Sequence, residues 1–374
     1  MIYSSPSVAV IDPVGTKAGL DHYNQSLLLE LVKLGCTVAL FSNFYSQEIP
    51  GSREPFFKFR TKQNIFSLFS LMQEYRKAIS ACKKSGIQNI ILHVFHFNFL
   101  DEWVIKKVAE SGFKITLIVH DVESFVFSPD KIRLKRICEK FVHKLVVHNE
   151  YTRTELLSIL DANVHSKVHV IPHGHFLSLA NEKVQKAEAR KILGWEADKK
   201  IVLFFGLIKP SKGLDVLLTA IPKIDPQSDF VIAGRLRKHS FDVYNQIIRK
   251  EFIHGRIRYY LHHVSNEQRN LLFSAADAIV LPYKKIYQSG VLLMAMSYGL
   301  PVVASDLPAM KELVHHNENG LLFKSEDPTE LALQVNRLLN EDALRTKIAL
   351  KEVEYCGKYH DWKRIAAAFY SLFS

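Results

Sequence analysis

The stretch AIVLPYKKIYQSGVLLMAMSYGLPVVASD, residues 278–306, places two apolar runs on either side of a helix-like block. AIVLPY reads as a strand and KKIYQ as the loop that follows it. Ser289-Gly290 opens the block VLLMAMSY, which Gly299 stops, and PVVASD is the next strand. A helix start leaves backbone N–H groups unpaired and carries partial positive charge, so a strand–loop–helix joint of this kind is a ready seat for an anion. Ser289 is placed to cap the helix, Gly290 to let a ligand approach the backbone, and Lys284 and Lys285 to add charge. An ordinary capped, buried helix is the alternative.

Working outward, the same alternation fills the chain. Ahead of AIVLPY stand KIVLFFG (200–206), DFVIAGR (229–235) and IRYYLHH (257–263), and after PVVASD comes GLLF (320–323). An earlier series runs VAVID (8–12), CTVALFS (36–42), NIILHVF (89–95), KITLIVHD (114–121), KLVVHN (144–149) and VHVIPHG (168–174). These runs are almost continuous in Val, Ile and Leu, the mark of strands covered on both faces in a parallel sheet. Segments between them, such as HYNQSLLLELVKLG (22–35), carry apolar residues at helical spacing and end in glycine. The charged stretch 176–200 lacks a strand signal and reads as a connection with one short helix. The expected fold class is α/β with two doubly wound parallel-sheet domains, 1–175 and 176–355, facing across a cleft, and a closing helix within 356–374. A length of 374 residues agrees with two domains.

Composition narrows the classes. Hydrophobic residues make up 48% of the chain, and no run of about 18 apolar residues suggests a membrane span. The N-terminus lacks a basic region followed by an apolar one, so no signal peptide is expected. Cys36, Cys82, Cys138 and Cys356 are scattered, which fits a reducing compartment and suggests neither a disulfide framework nor a zinc site. A formal charge of +11 points to a polyanionic partner. Residues 128–144 hold six Lys/Arg against two Asp/Glu, interleaved with apolar residues. Lys131, Arg133, Lys135, Arg136 and Lys140 would form the basic face of an amphipathic helix on an anionic membrane surface. Residues 57–84 share this bias. A solvated helix face is the alternative, and nucleic acid is not expected, since no recognised nucleic-acid motif is present.

Ligands of open α/β sheets bind beyond the carboxyl ends of the strands. There, Gly206 ends one strand, and a basic loop with Lys209 and Lys212 leads into GLDVLLTAI. With the Ser289 joint, this makes two phosphate-compatible loops in one domain, which suggests a diphosphate. Neither is a P-loop. In the first half Gly15 and Gly19 lie between strand and helix, without dinucleotide-binding spacing. His120 and Asp121 end a strand, where a histidine could orient a substrate hydroxyl. His148 and His173 end two further strands and read as structural.

With these pieces in place, the second half resembles the family 4 retaining glycosyltransferases of the GT-B fold. The resemblance rests on LFFGLIKPSKGLDVLLTAI, FVIAGR, SNEQRNLLFSAADAIVLPY, SGVLLMAMSYGLPVVASDLPAMKELV and NGLLF, within 200–324. The first half is more loosely similar, through the glycine loop, VHDVES, VVHNEYTRTELL and VHVIPHG. DWKRIAAAFYSLF looks like the terminal helix that crosses back to the first domain. The resemblance implies transfer of a sugar from a nucleotide-diphosphate donor, UDP- or GDP-linked, without a metal ion or other cofactor. The acceptor would be a lipid-linked glycan or polysaccharide at the inner membrane leaflet of a cytoplasmic, peripheral enzyme. Lys212 would hold the diphosphate with Lys209, and the amides of Ser289, Gly290 and Val291 would take the remaining oxygens. Gly206, Gly234, Arg235, Tyr283 and Gln288 would line the donor site, with the base near His263 and Val264. Catalysis would fall to His120, Asp121, Lys209 and Lys212, with Gly15, Gly19 and His120 on the acceptor side. The chain departs from the family at its usual E-x7-E glutamates, whose positions are Ile286 and Met294 in a QSGV variant, and at Leu207, where an arginine is usual. A sugar-nucleotide epimerase and a non-catalytic partner protein are the competing readings.

Overall fold

The computed structural model describes residues 5–17, 19–52, 55–58, 65–95, 97–122, 131–237 and 240–373. The chain divides into two compact units, Met1–Gly174 with Asp361–Ser374, and His175–His360. The first unit holds strands β1 (Ser7–Asp12), β2 (Thr37–Ser42), β3 (Asn89–Val94), β4 (Lys114–Val119), β5 (Lys144–Val147) and β6 (Val168–Val170). They form one parallel sheet in the order β2-β1-β3-β4-β5-β6. The second unit holds β7 (Lys200–Phe205), β8 (Ser228–Ala233), β9 (Ile257–Tyr260), β10 (Ala278–Leu281), β11 (Val302–Ser305) and β12 (Leu321–Phe323). Its order is β12-β11-β10-β7-β8-β9, again parallel. Each strand matches an apolar run of the sequence.

Successive side chains of a strand point to opposite faces, and both faces of the second sheet are covered. Val202 and Phe204 join one buried cluster with Phe230, Ile232, Val280 and Val303. Ile201 and Leu203 join the other with Val231, Ile279, Leu281 and Val302. In the first unit the helices Leu20–Lys33 and Trp362–Phe373 share a core with Val8, Val10, Ile91 and Ile118. The runs outlast the strands by one or more residues, so His120, His148 and His173 fall beyond the ladder, at the carboxyl edge.

Two boundaries differ from expectation. The stretch 176–200 holds two helices, Leu177–Ala180 and Lys186–Leu193, rather than one. It packs into the second unit because Arg190 and Lys186 both pair with buried Asp277, whose Oδ2 also accepts the Ile201 amide at 2.7 Å. At the other end, residue 356 lies inside the helix Asp342–Tyr359, and the break falls at His360–Asp361. There the Asp361 carboxylate accepts the amides of Lys363 and Arg364, starting the last helix.

Glu352 in Asp342–Tyr359 is fully buried. Its Oε1 accepts the Val302 amide at 3.0 Å, while Oε2 has no partner among the described residues. Burial holds its carboxyl well above the usual range. The folded state therefore binds this proton more tightly than the unfolded chain does. The stabilisation is full below the unfolded pKa and is lost as pH rises toward the folded value. Glu352→Gln keeps the acceptor and removes the ionisable proton. Its melting temperature should exceed that of the wild type at pH 8, and the gap should close near pH 4.

Candidate functional site

Strands β7 and β10 are neighbours in the second sheet, yet the chain leaves β7 toward β8 and leaves β10 toward β11. This is the sheet's topological switch point, where the two outgoing loops diverge and leave room for a ligand. The loops are stitched together. The Lys284 amide donates to Ser211 O at 3.0 Å, and Lys284 Nζ pairs with Asp215 at 2.6 Å and Glu326 at 3.6 Å. Gly213 has φ +67°, and a Cβ there would lie 1.7 Å from Pro282 O, so only glycine lets the loops close this far. Lys284 is thus a tether between loops, with its charge met by two carboxylates. Lys285 lies over the Tyr287 ring at 5.8 Å.

The loop after β7 turns through Pro210–Lys212 into the helix Leu214–Ala220. Lys212 Nζ rests 3.6 Å from the centroid of the buried Tyr283 ring, a cation–π contact that holds the ammonium at the switch point. Burial pushes the Tyr283 hydroxyl up to about 12, against the opposing pull of Ser289 and Lys209, so it stays protonated. Ser289 Oγ lies 3.5 Å from it and accepts the Leu292 amide at 3.2 Å. Ser289 therefore caps Gly290–Tyr298, as its sequence context predicts, and the first amides of that helix have no intrahelical acceptor. A Cβ on Gly206 would meet the Val291 methyl at 3.4 Å, so the end of β7 and the helix start are neighbours.

Gly234 follows β8 and packs against Gly206, while Arg235 is exposed and its carbonyl accepts the Ile208 amide. His263 is exposed after β9, and Val264 is partly buried against the core. Ile286 and Met294 are partly buried and pack with Val291 against the same core, so no carboxylate stands at either position. The Gln288 amide nitrogen is buried without a partner among the described residues. It is an unspent donor immediately before Ser289.

At the carboxyl edge of the first sheet, Gly15 (φ +41°) donates its amide to the Asp12 carboxylate at 3.1 Å, and Gly19 (φ +70°) precedes the helix Leu20–Lys33. His120 and Asp121 directly follow β4. His120 is buried beside His93, Phe95, His148 and Tyr23, and burial pushes its pKa well below 6.5. It is a neutral imidazole at physiological pH. The sequence did not single out Asp12, Asn24 or His93, which carry no spacing signal: one ends a strand, one lies in a helix, one lies within a strand. Asp215 was likewise missed.

The basic helix occupies Lys131–Lys140. Residues 128–130 and the side chains of Lys131 and Arg133 lie outside what the structure describes. Arg136 and Lys140 are exposed, whereas Lys135 pairs with Asp161 at 2.6 Å, which partly offsets its charge. On the helix Ile65–Lys84, Phe66 and Phe69 are 82% and 61% exposed. Among the described residues no helix is long and apolar enough to cross a membrane.

Residues 185–352 match the model of the glycosyl transferases group 1. Sucrose-phosphate synthase from Thermosynechococcus elongatus superposes with a TM-score of 0.77 at 21% identity, with 98% of each chain covered. Anabaena Alr3699/HepE in complex with UDP superposes at 0.75 and 18%, also with 98% of each chain covered. The chain has the GT-B fold, and the match to the glycosyl transferases group 1 falls within its second unit. This GT-B protein is 27% identical over 253 residues to the D-inositol 3-phosphate glycosyltransferase of Corynebacterium efficiens, covering 64% of its own chain and 59% of that protein. It is 29% identical over 191 residues to the phosphatidyl-myo-inositol mannosyltransferase of Mycolicibacterium smegmatis, covering 48% and 46%. The match thus spans about half the length of these curated relatives.

The glycines of the site separate into two kinds. Gly213 is required by the fold. Gly290 is not: a Cβ there would meet only the Phe176 ring, at 4.0 Å. Gly290→Ala should leave the melting temperature unchanged or raised, because alanine is the better helix former. It should also weaken binding of a nucleoside diphosphate at least tenfold by calorimetry. Equal affinity would show that the helix start is not the seat.

Proposed function

We propose that this protein transfers a sugar from a nucleoside-diphosphate sugar to a hydroxyl of a membrane-associated acceptor, a lipid-linked glycan or polysaccharide. The second unit binds the donor. The first unit presents the acceptor side, with Gly15, Gly19, His120 and Asp121 at its carboxyl edge. The observation that carries the reading is the stitched pair of loops at the β7–β10 switch point, which gathers Lys209, Lys212 and the start of Gly290–Tyr298. As the glycosidic bond breaks, negative charge develops on the leaving diphosphate. Fixed ammonium groups and helix amides stabilise that charge in place, with no reorganisation at the moment of reaction. On this reading no metal ion is required, because lysines and amides supply the positive charge, and the transfer is retaining.

Two features support the finer parts. The Gln288 amide is a donor with no partner among the described residues, able to bond a phosphate or sugar oxygen, while the Ile286–Met294 surface offers the sugar apolar contact. Arg136 and Lys140, with Phe66 and Phe69 exposed on another helix of the same unit, suit an anionic lipid surface. Relatives named for inositol phosphate and phosphatidylinositol acceptors agree with a polar or lipid-borne acceptor hydroxyl.

The test is a thermal-shift and calorimetric screen with UDP, GDP, ADP and CMP and their sugar conjugates, each with and without EDTA. A ligand that binds only the folded state raises its melting temperature. One uridine or guanosine diphosphate should bind equally well with EDTA, and Lys212→Ala should weaken it more than tenfold at an unchanged melting temperature. No binding by any nucleotide to the folded protein would favour a non-catalytic partner. Isomerised donor released without acceptor would favour an epimerase. For the membrane contact, Arg136→Glu and Lys140→Glu should each lower partition onto phosphatidylserine vesicles by about fivefold, in line with roughly 1 kcal/mol per basic residue. Unchanged partition would remove that face from the reading.

A further inference from the structure

Asp12, Asn24, His93 and His120 lie in one unbroken line of hydrogen bonds beneath the carboxyl edge of the first sheet. Asn24 Nδ2 is 2.8 Å from Asp12 Oδ2, Asn24 Oδ1 is 2.8 Å from His93 Nε2, and His93 Nδ1 is 2.8 Å from His120 Nε2. The two imidazole centroids are 5.1 Å apart with 19° between the planes. Rings stacked face to face at that separation could not bring two nitrogens within 2.8 Å. The rings lie nearly edge to edge, as a hydrogen bond between them requires. Asn24 is fully buried, Asp12 is 1% exposed, and Phe95 stacks on the His120 ring at 4.5 Å, so no member can turn away.

We infer that Asp12, Asn24 and His93 act as positioning residues that hold His120 in a single tautomer, Nε2 protonated and Nδ1 carrying the lone pair, so that His120 accepts from a ligand hydroxyl rather than donating to it. The direction of every bond follows from Asp12. Its Oδ1 already accepts the Val14 and Gly15 amides at 2.9 and 3.1 Å, and an ionised carboxylate accepts only. Asn24 must therefore point its NH2 at Asp12 and its carbonyl at His93. His93 then donates through Nε2, which leaves Nδ1 as an acceptor. His120 donates to it through Nε2, and its Nδ1 keeps the lone pair. That Nδ1 makes no hydrogen bond among the described residues. Both rings are neutral, because burial lowers His93 to about 3 and His120 well below 6.5, so a tautomer is defined for each. Asp12, raised by burial to about 6, is ionised at pH 7.5.

The chain makes an unusual demand on its own mutants: reversing one end should reverse all of it. In Asp12→Asn the side chain keeps an oxygen for the two loop amides but turns an NH2 toward Asn24. Asn24 must then present its carbonyl to residue 12 and its NH2 to His93. His93 shifts its proton to Nδ1, and His120 shifts its own from Nε2 to Nδ1. No member is lost and no volume changes.

The experiment is a long-range 1H–15N correlation spectrum of the full chain with 15N-labelled histidine at pH 7.5, with His120 assigned by the loss of its signals in His120→Gln. The wild type should show His120 protonated at Nε2. Asp12→Asn should show it protonated at Nδ1, with a melting temperature within a few degrees of the wild type. With the donor found by the nucleotide screen, its turnover should fall at least tenfold at an unchanged donor KM. A wild-type His120 that is protonated at Nδ1, or charged, overturns the inference without any variant. So does an Asp12→Asn spectrum that keeps the wild-type tautomer, or a reversed tautomer with undiminished turnover. The inference rests on the glycosyl-transfer reading only for the hydroxyl that His120 meets. The spectra need no substrate, so a protein that binds no nucleotide sinks that reading while the tautomers still decide the chain.

Discussion

The pairing of β7 with β10 is the constraint from which the chemistry of the second unit follows. These strands are adjacent but not consecutive, so their outgoing loops must leave on opposite courses while starting side by side. Ser211 O, Asp215 and Gly213 tie the two loops before they part. The placement of Lys212 goes with that tie. Lys212 is held over Tyr283, Tyr283 is buried against Ser289, and Ser289 caps the helix whose amides open the same space. A lysine on a mobile loop would offer charge with a large entropic cost of ordering it. Here the cost is met in folding, and the charge is already in place for the anionic ligand that the proposed reading assigns to it.

The first unit solves a different problem. It buries or half-buries His93, His120, His148 and His173 around the Tyr23 ring, where charged imidazoles would be costly. Burial keeps His93 and His120 neutral. A neutral imidazole has a polarity that a charged one lacks, since one nitrogen donates and the other accepts. The fold can then set that polarity from a distance, through a chain that ends on the single carboxylate of Asp12. The Asp12 carboxylate is in turn held by the amides of Val14 and Gly15, so the turn after β1 also fixes the start of the chain.

The most informative departure from the pattern that the resemblance predicts lies within the second unit. Ile286 and Met294 stand where the resemblance expects carboxylates, and both pack with Val291 against the core. Their apolar surface cannot hydrogen-bond sugar hydroxyls. The Gln288 amide nitrogen, buried with no partner among the described residues, is a polar group two positions after Ile286. On the proposed reading, a diphosphate would be held by geometry that does not depend on the glutamates, and the sugar contacts would differ from the family pattern.

Sequence alone determined the periodic part of this protein. Near-continuous Val, Ile and Leu runs separated by helical spacing identify twelve parallel strands, because strands covered on both faces tolerate little else. Glycine at a strand end and serine at a helix start likewise identify Gly206 and Ser289, because backbone conformation and capping are local properties written in single residues. What only the tertiary structure decided is pairing. Lys284 reads as free charge and proves to be a tether to Asp215, 69 positions away. Lys135 reads as a membrane contact and is paired with Asp161. Asp12, Asn24, His93 and His120 are spread over more than a hundred residues in two strands, a helix and a loop. No spacing rule joins them, because hydrogen bonds between distant segments are set by the order of strands in the sheet.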